Sequence, residues 1–342
     1  MPRPLSYEQP VATAVISPTC ICGSGDALGS RTIASEEVDR AFGMPVGKLR
    51  CRAGIESLAY VAASENELSL GAAAAREALR HSAALTHDID WIIASSETHH
   101  NYPSLAAQLH STLQVRENCG ALDIGGGCLG LLNALSVAQS ILASGRGQVA
   151  LVVTADVHSR ALTPGRVAGE FGGLFGDGAS AFLLGRAREG ESANYRLGEF
   201  VFGCAGKYAN AISVSDDLDG GLELQFDGDA LSRAAISRMD KIIAALEERS
   251  GIARAGVGAF ATHQPNPRLV ALVAKQCGVS PALFPEVART SGNLGTSTCG
   301  AALHRALRLA ASEGPGRRMP IFLASLGPGL LFGGGWLVPH RL

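Results

Sequence analysis

The sequence predicts an α/β protein: a mostly parallel sheet with helices on both faces, arranged as two halves of similar design. Three observations predict it. Short apolar, β-forming runs alternate with longer helical runs along the chain. One run, Gln148–Thr154 (Q-V-A-L-V-V-T), is apolar enough for a central strand covered on both faces. Hydrophobic residues make up 46% of the 342 residues and charged residues 18%, which supplies an ample core and excludes a disordered chain.

In the first half, Val11–Ile16 reads as a strand and Cys20–Gly29 (C-I-C-G-S-G-D-A-L-G) as a glycine-broken loop. Its glycines lack the G-x-G-x-x-G spacing, and Arg31–Ser35 does not continue as an apolar helix, so a dinucleotide loop is disfavoured. Ser35 is the expected N-cap of a short helix, and Lys48–Ile55 (K-L-R-C-R-A-G-I) a basic loop. Glu65–His81 is an alanine-rich amphipathic helix capped near Glu65 and Asn66, and Ile89–Ser95 a strand. A polar break containing His99 and His100 reads as loop polarity, before a helix over Leu105–Leu113. Ala121–Ile124 is a strand, Cys128–Ser144 a buried helix, and Leu174–Gly185 a turn and strand.

The halves divide near residue 186, giving 1–185 and 186–342. In the second, Gly220-Gly221 is a turn between candidate strands and Leu231–Ser250 a long helix. Val257–Thr262 is a strand ending in His263, followed by helices over Arg268–Gly278 and Ser297–Ala311. Strands over Pro320–Ser325 and Trp336–Val338 flank a glycine-rich run.

A net charge of -2 gives no reason to expect a nucleic acid or an anionic membrane as partner. Of the 8 cysteines only Cys20 and Cys22 are close, and no C-x2-C pair exists, so no metal site is expected. The N-terminal stretch lacks a signal-peptide core, and no apolar run reads as a membrane span. A cytoplasmic setting with free thiols follows as the expectation.

Three pieces carry chemistry. In D-I-G-G-G-C-L-G, glycines permit a sharp turn that puts Cys128 in the first turn of a helix, where the dipole is expected to lower a thiol pKa. His263 in T-H-Q-P-N directly follows a strand, and Asn293 in S-G-N-L-G lies in a glycine-flanked turn. Each has a plain structural reading, as core thiol, loop histidine and turn former. Open α/β sheets, however, build their sites beyond the C-terminal ends of strands. Together a thiol, an imidazole and a carboxamide suit covalent acyl transfer with oxyanion stabilisation.

D-I-G-G-G-C-L-G, F-G-D-G-A, H-Q-P-N-P-R, G-N-L-G-T-S and G-P-G-L-L-F-G, in this order, resemble the motif series of β-ketoacyl-acyl-carrier-protein synthase III, in the thiolase superfamily of condensing enzymes. The resemblance runs from about Val11 to Val338. It implies a thiolase-like duplicated five-layer α-β-α-β-α fold and a homodimer. It also implies no cofactor beyond the substrates, which would be acyl thioesters of coenzyme A or of an acyl carrier protein. By position it makes Cys128 the acylated nucleophile, with His263 and Asn293 activating the second substrate. The oxyanion donors would be the N–H of Cys128 and one from the loop at Gly327–Gly329. Arg52 would contact coenzyme A, Arg268 an acidic carrier protein, and Tyr102 the partner subunit's acyl pocket.

The chain departs from fatty-acid-initiating members in having G-G-G-C for A-A-C, Lys48 for a tryptophan, and G-P-G for G-G-G-F. These departures favour a specialised polyketide- or fatty-acid-derived pathway, including the joining of two acyl chains, with Glu97 or a nearby histidine as a base. The alternatives are fatty-acid initiation, acyl transfer to oxygen or nitrogen, and a non-catalytic partner subunit. A papain-like hydrolase is disfavoured, because G-G-G-C has no glutamine before the cysteine.

Overall fold

A computed structural model describes residues 18–82, 84–186, 195–207, 212–216, 222–313 and 315–340. The expected strand Val11–Ile16 and the Gly220-Gly221 turn lie outside these residues. In chain order the first half comprises β1 (Thr19–Leu28), β2 (Arg31–Ala34), α1 (Ser35–Ala41), β3 (Ser57–Tyr60), α2 (Glu67–Arg80), β4 (Trp91–Ser95), α3 (Leu105–Thr112) and β5 (Gly120–Asp123). It continues with α4 (Gly130–Ala143), β6 (Val149–Val157), α5 (His158–Ala161), α6 (Gly169–Gly172) and β7 (Asp177–Arg186). The second half has β8 (Tyr195–Cys204), β9 (Ile212–Asp216), β10 (Leu222–Phe226), α7 (Gly228–Ser250), β11 (Ala259–Thr262) and α8 (Pro267–Cys277). It ends with α9 (Ala288–Ser291), α10 (Ser297–Ser312), β12 (Ile321–Gly327) and β13 (Leu331–Pro339).

The main sheet runs β11-β12-β13-β8-β1-β7-β6-β4-β5. Among the described residues its halves pair at β1 and β8, through Cys20↔Arg196 and Ile21↔Tyr195. In each half an antiparallel pair, β1/β7 or β8/β13, flanks parallel strands that end on the same side. That shared pattern is the duplication.

Side-chain alternation produces five layers. On β6, Ala150 and Val152 face the central core, while Leu151, Val153 and Ala155 face the cluster under α2 and α3. On β12, Ile321 and Leu323 face the central core, while Phe322 and Ala324 face the cluster under α7 and α8. Between the two half-sheets lie α4 and α10. The α4 sequence, G-L-L-N-A-L-S-V-A-Q-S-I-L-A, carries no charge. That composition suits a helix whose buried face lies in the central core, with a few partly exposed positions filled by small polar or apolar residues.

Several expectations are corrected. The sheet is mixed rather than mostly parallel. The β6–β7 connection contains only the four-residue helices α5 and α6, too short to cross the sheet, and β12 turns into β13 at Gly327–Leu330. Cys20–Gly29 is not a loop: Thr19–Leu28 is strand β1. A Cβ on Gly23 would lie 2.1 Å from Ala78 O, and one on Gly25 2.4 Å from Ala74 O. The glycines therefore let α2 rest directly on the strand, and they bind no nucleotide phosphate. Leu49–Ala53 in the basic loop forms a π-helical turn. Ser35 is the first residue of α1 rather than its cap, and Ala34 caps it without a side-chain bond. Asn66 caps α2 in a reciprocal box with Ser69. The last strand extends well beyond Trp336–Val338 at its start, to Leu331.

Candidate active site

Five connections leave the same edge of the two half-sheets and enclose one cavity of about 870 Å³. They bring in Glu97 after β4, Cys128 after β5, His158 after β6, His263 after β11, and Gly327-Pro328 at the end of β12. Asn293 joins them from the turn after α9. The first half thus supplies the thiol, and the second supplies the imidazole and the carboxamide.

The Cys128 turn needs its glycines. Gly126 and Gly127 have φ of 136° and 56°, the left-handed side that disfavours other residues. Cys128 sits in a 3-10 turn over Gly127–Leu129, just before α4. Ser325 Oγ donates to Cys128 O at 2.6 Å and pins this turn to β12. Gly130 lets the helix start against β4, because a Cβ there would lie 2.1 Å from Ser95 Oγ.

The other two groups are fixed by local bonds. Gln264 accepts from the N–H groups of Val287 and Ala288 and donates to Pro285 O, and Asn266 caps α8. His263, directly before Gln264, is 7% exposed, and its Nδ1 has no hydrogen-bond partner among the described residues. Burial pushes its pKa down to about 4, so the ring is neutral at physiological pH. Asn293 Oδ1 accepts from Gly295 N–H and from Thr298 Oγ1, both at 3.0 Å. With the oxygen so occupied, the amide NH2 is the end left for the cavity.

The thiol's electrostatics contradict the expectation of a lowered pKa. Burial first, then the charge of Glu97, push Cys128 well above the ordinary thiol value. The Glu97 carboxylate lies beside the Cys128 turn, with Thr296 Oγ1 3.4 Å from Glu97 Oε1 and 3.3 Å from Gly127 O. Burial, with a carboxylate beside the sulfur, outweighs the helix dipole.

Behind Glu97 lies a cluster that sequence reasoning missed. His158 Nε2 lies 3.5 Å from Glu97 Oε2, and Thr296 Oγ1 is 3.4 Å from Glu97 Oε1. Asp156 accepts from the backbone N–H of Glu97 at 2.6 Å and of Thr296 at 2.8 Å, and so joins the two halves. Burial raises the Glu97 pKa, but the His158 hydrogen bond and charge outweigh it and hold Glu97 below the usual carboxylate range. Burial lowers His158, but Glu97 and Asp156 hold it above its ordinary value. Burial and the charge of Glu97 push Asp156 up to about 7. The available signal was A-D-V-H: two ionisable residues ending an otherwise apolar strand.

The remaining expected residues divide. Gly327 lines the cavity, and a Cβ on it would lie 3.5 Å from Cys128 N, whereas Gly329 is not among the lining residues. Pro328 fills the position between them and offers no N–H. Arg52 and Arg268 are exposed on adjoining elements, since Gly54 packs against Pro267 and Arg268. Tyr102 is 97% exposed and lies on a separate shallow depression with His99, outside its own subunit's cavity. His100, expected to be mere loop polarity, lines the cavity.

Fold and site together define a thiolase-type condensing enzyme. The 3-oxoacyl-[acyl-carrier-protein] synthase III profile matches residues 122–206, and the C-terminal profile of the same family matches 247–338. The chain belongs to this family and is an acyltransferase. It is 28% identical over 333 residues to beta-ketoacyl-[acyl-carrier-protein] synthase III of Haemophilus ducreyi, covering 92% of this chain and 96% of that one. Its fold is similar to that of Xanthomonas campestris OleA, at a TM-score of 0.83 and 21% identity, covering 94% of this chain and 99% of that one. It is also similar to the priming beta-ketosynthase of a polyketide biosynthetic pathway, at a TM-score of 0.82 and 24% identity, covering 97% and 100%. No helix among the described residues is long and apolar enough to cross a membrane.

Proposed function

We propose that this protein carries an acyl group on Cys128 and condenses it with a second acyl thioester, in a specialised pathway to a polyketide- or fatty-acid-derived product. The observation that carries the reading is the opening of Cys128, His263 and Asn293 onto one cavity. In the first half-reaction Sγ attacks the donor carbonyl, the Sγ–C bond forms, and the donor's C–S bond breaks with release of its thiol. In the second, the acceptor's α-carbon, having lost a proton or a carboxyl group as CO2, attacks the acyl carbonyl. A C–C bond forms, the Sγ–C bond breaks, and Cys128 recovers a proton. His263 Nε2 and the Asn293 NH2 donate to the acceptor's thioester oxygen as it takes up charge. The N–H of Cys128, close to Gly327, serves the donor's oxyanion.

Apolar walls support acyl chains as cargo: Phe171 and Phe175 on one side of the cavity, Met239 and Val273 on another. The exposed pair Arg52 and Arg268 supports docking of an acidic carrier protein or of coenzyme A phosphates. Tyr102, exposed on its own subunit, supports a homodimer in which it reaches its mate. The curated relatives' name favours a second reading, fatty-acid initiation with a malonyl acceptor.

The test is intact-protein mass spectrometry after mixing with a panel of acyl-coenzyme A and acyl-carrier-protein thioesters. The expected result is an acyl adduct on the wild type and none on Cys128→Ala. Absence of an adduct from every donor, in folded protein, would sink the reading. Release of CO2 with a malonyl acceptor would move it to fatty-acid initiation.

A further inference from the structure

We propose that Glu97 is a catalytic proton shuttle for acylation: it takes the Cys128 S–H proton as sulfur attacks and returns it to the departing thiol. The proposal rests on the reading of Cys128 as the acylated nucleophile.

The geometry supports a shuttle in three ways. First, Thr296 Oγ1 spans from the Glu97 carboxylate at 3.4 Å to Gly127 O at 3.3 Å, so the carboxylate lies beside the Cys128 turn, and Glu97 and Cys128 line the same cavity, where the leaving thiol must depart. Second, its position is over-determined. Asp156 holds its backbone N–H at 2.6 Å, Thr98 Oγ1 in the next position donates to Glu67 Oε1 at 2.7 Å, and Thr296 Oγ1 lies 3.4 Å from its carboxylate. Third, its charge is balanced. The titratable groups facing it are Cys128 on the 3-10 turn, His158 and Asp156 on the β6 segment, and His263 beyond β11. Of these His158, 3.5 Å away, is the cationic partner, so an ionised carboxylate persists beside an un-ionised thiol.

The usual base of such sites is a poor alternative here. His263 is buried with Nδ1 unpartnered among the described residues, and burial disfavours the imidazolium it would become more than the charge of Glu97 favours it. A thiol raised by burial also leaves little free thiolate at neutral pH, so proton removal must accompany attack. The step balances. Cys128 S–H and the donor thioester become Cys128 S–acyl and a free thiol, and Glu97 begins and ends as a carboxylate. His158 acts through Glu97 and is a positioning residue.

The test is rapid-quench acylation of Cys128, using the best donor from the panel above, over pH 5.5–8. For the wild type, a rate nearly level with pH is expected. Glu97→Gln should acylate about 10²–10⁴-fold more slowly at pH 7, the usual worth of general base catalysis. Its rate should rise about tenfold per pH unit, because it depends on free thiolate. His158→Gln should fall between the two and show a partial slope. A wild-type rate that itself climbs tenfold per pH unit would overturn the shuttle without any variant, which covers a Glu97→Gln protein that fails to fold. A folded Glu97→Gln with the wild-type rate and profile would overturn it equally. In both cases the wild type still forms the adduct, so the covalent reading would survive. Absence of the wild-type adduct would remove both.

Discussion

Alanine substitution along Gly125-Gly126-Gly127 should separate the backbone demands of the nucleophile turn from mere sequence motif. At Gly127, φ is +56°, and a left-handed conformation costs an ordinary residue about 1–2 kcal/mol. A Cβ there would sit 2.8 Å from Pro328 Cδ. Ordinary carbon contact begins near 3.5 Å, so the 327–329 loop must retreat by about 0.7 Å, and the proline ring cannot rotate aside. Overpacking of this kind costs about 1–3 kcal/mol. Reduced freedom of the unfolded chain returns about 0.4–1 kcal/mol, leaving a net loss of about 1–5 kcal/mol. Gly125, two residues away, has nothing within 4 Å of an added Cβ and no positive φ. Gly125→Ala should therefore be neutral or stabilising by a few tenths of a kcal/mol, roughly the unfolded-state gain alone.

The functional effect of Gly127→Ala should exceed its stability effect. The loop it displaces is the one whose Gly327 lies against Cys128 N, and misplacement by about 1 Å at a reacting centre costs about 10²-fold in rate. Calorimetry gives the stability ranking, and the rate of acyl-adduct formation by mass spectrometry gives the functional one. Equal losses at Gly125 and Gly127, or a Gly127→Ala protein with wild-type melting and acylation, would refute the reasoning.

Two further predictions concern the second half's contribution. Asn293→Asp keeps an acceptor for Gly295 N–H and Thr298 Oγ1 but replaces the cavity-facing NH2 with oxygen. Condensation should fall about 10²–10³-fold, as for loss of an oxyanion donor, while the acyl-Cys128 adduct still forms and accumulates. Loss of adduct formation to the same degree would contradict that division of labour. His263 has a folded pKa of about 4 against 6.5 for the free side chain, so the unfolded state takes the proton first as pH falls. The wild type should therefore lose stability relative to His263→Asn between pH 6.5 and 4, by up to about 3.5 kcal/mol. Urea titrations of both proteins at several pH values measure the difference, and a constant gap would show that His263 does not stay neutral in the fold.

Most of the strands and helices are legible in the chain because each has its own local signal. The four turns of uncharged residues after Cys128 suit a helix with a wide buried face, and the run ending at Thr154 a covered strand. Strand direction was less legible, since it depends on what the connections cross. The β6–β7 segment contains helices, yet they are too short to carry the chain over the sheet. The same applies to Gly23 and Gly25, which punctuate a loop when read locally but seat α2 on a strand in the folded molecule.

The acid–base cluster was the least legible part, because its members come from separate elements and none has a motif of its own. Glu97 follows β4, Asp156 and His158 close β6, and Thr296 precedes α10. Only the duplicated architecture makes them neighbours: parallel strands of each half end on one side, and Asp156 bonds across the junction to Thr296 N. That junction gives the thiol its character. A cysteine at a helix start would ionise readily on its own, yet here the adjoining strand ends bury it and set a carboxylate beside it. On the proposed reading the Cys128 thiol is therefore kept protonated at rest, and its reaction depends on proton removal at the moment a thioester is in place. Such a thiol is shielded from stray electrophiles and oxidants that react with free thiolate. On that reading acylation also depends on the integrity of both halves, since the carboxylate is positioned by one half through Asp156 and approached from the other by Thr296.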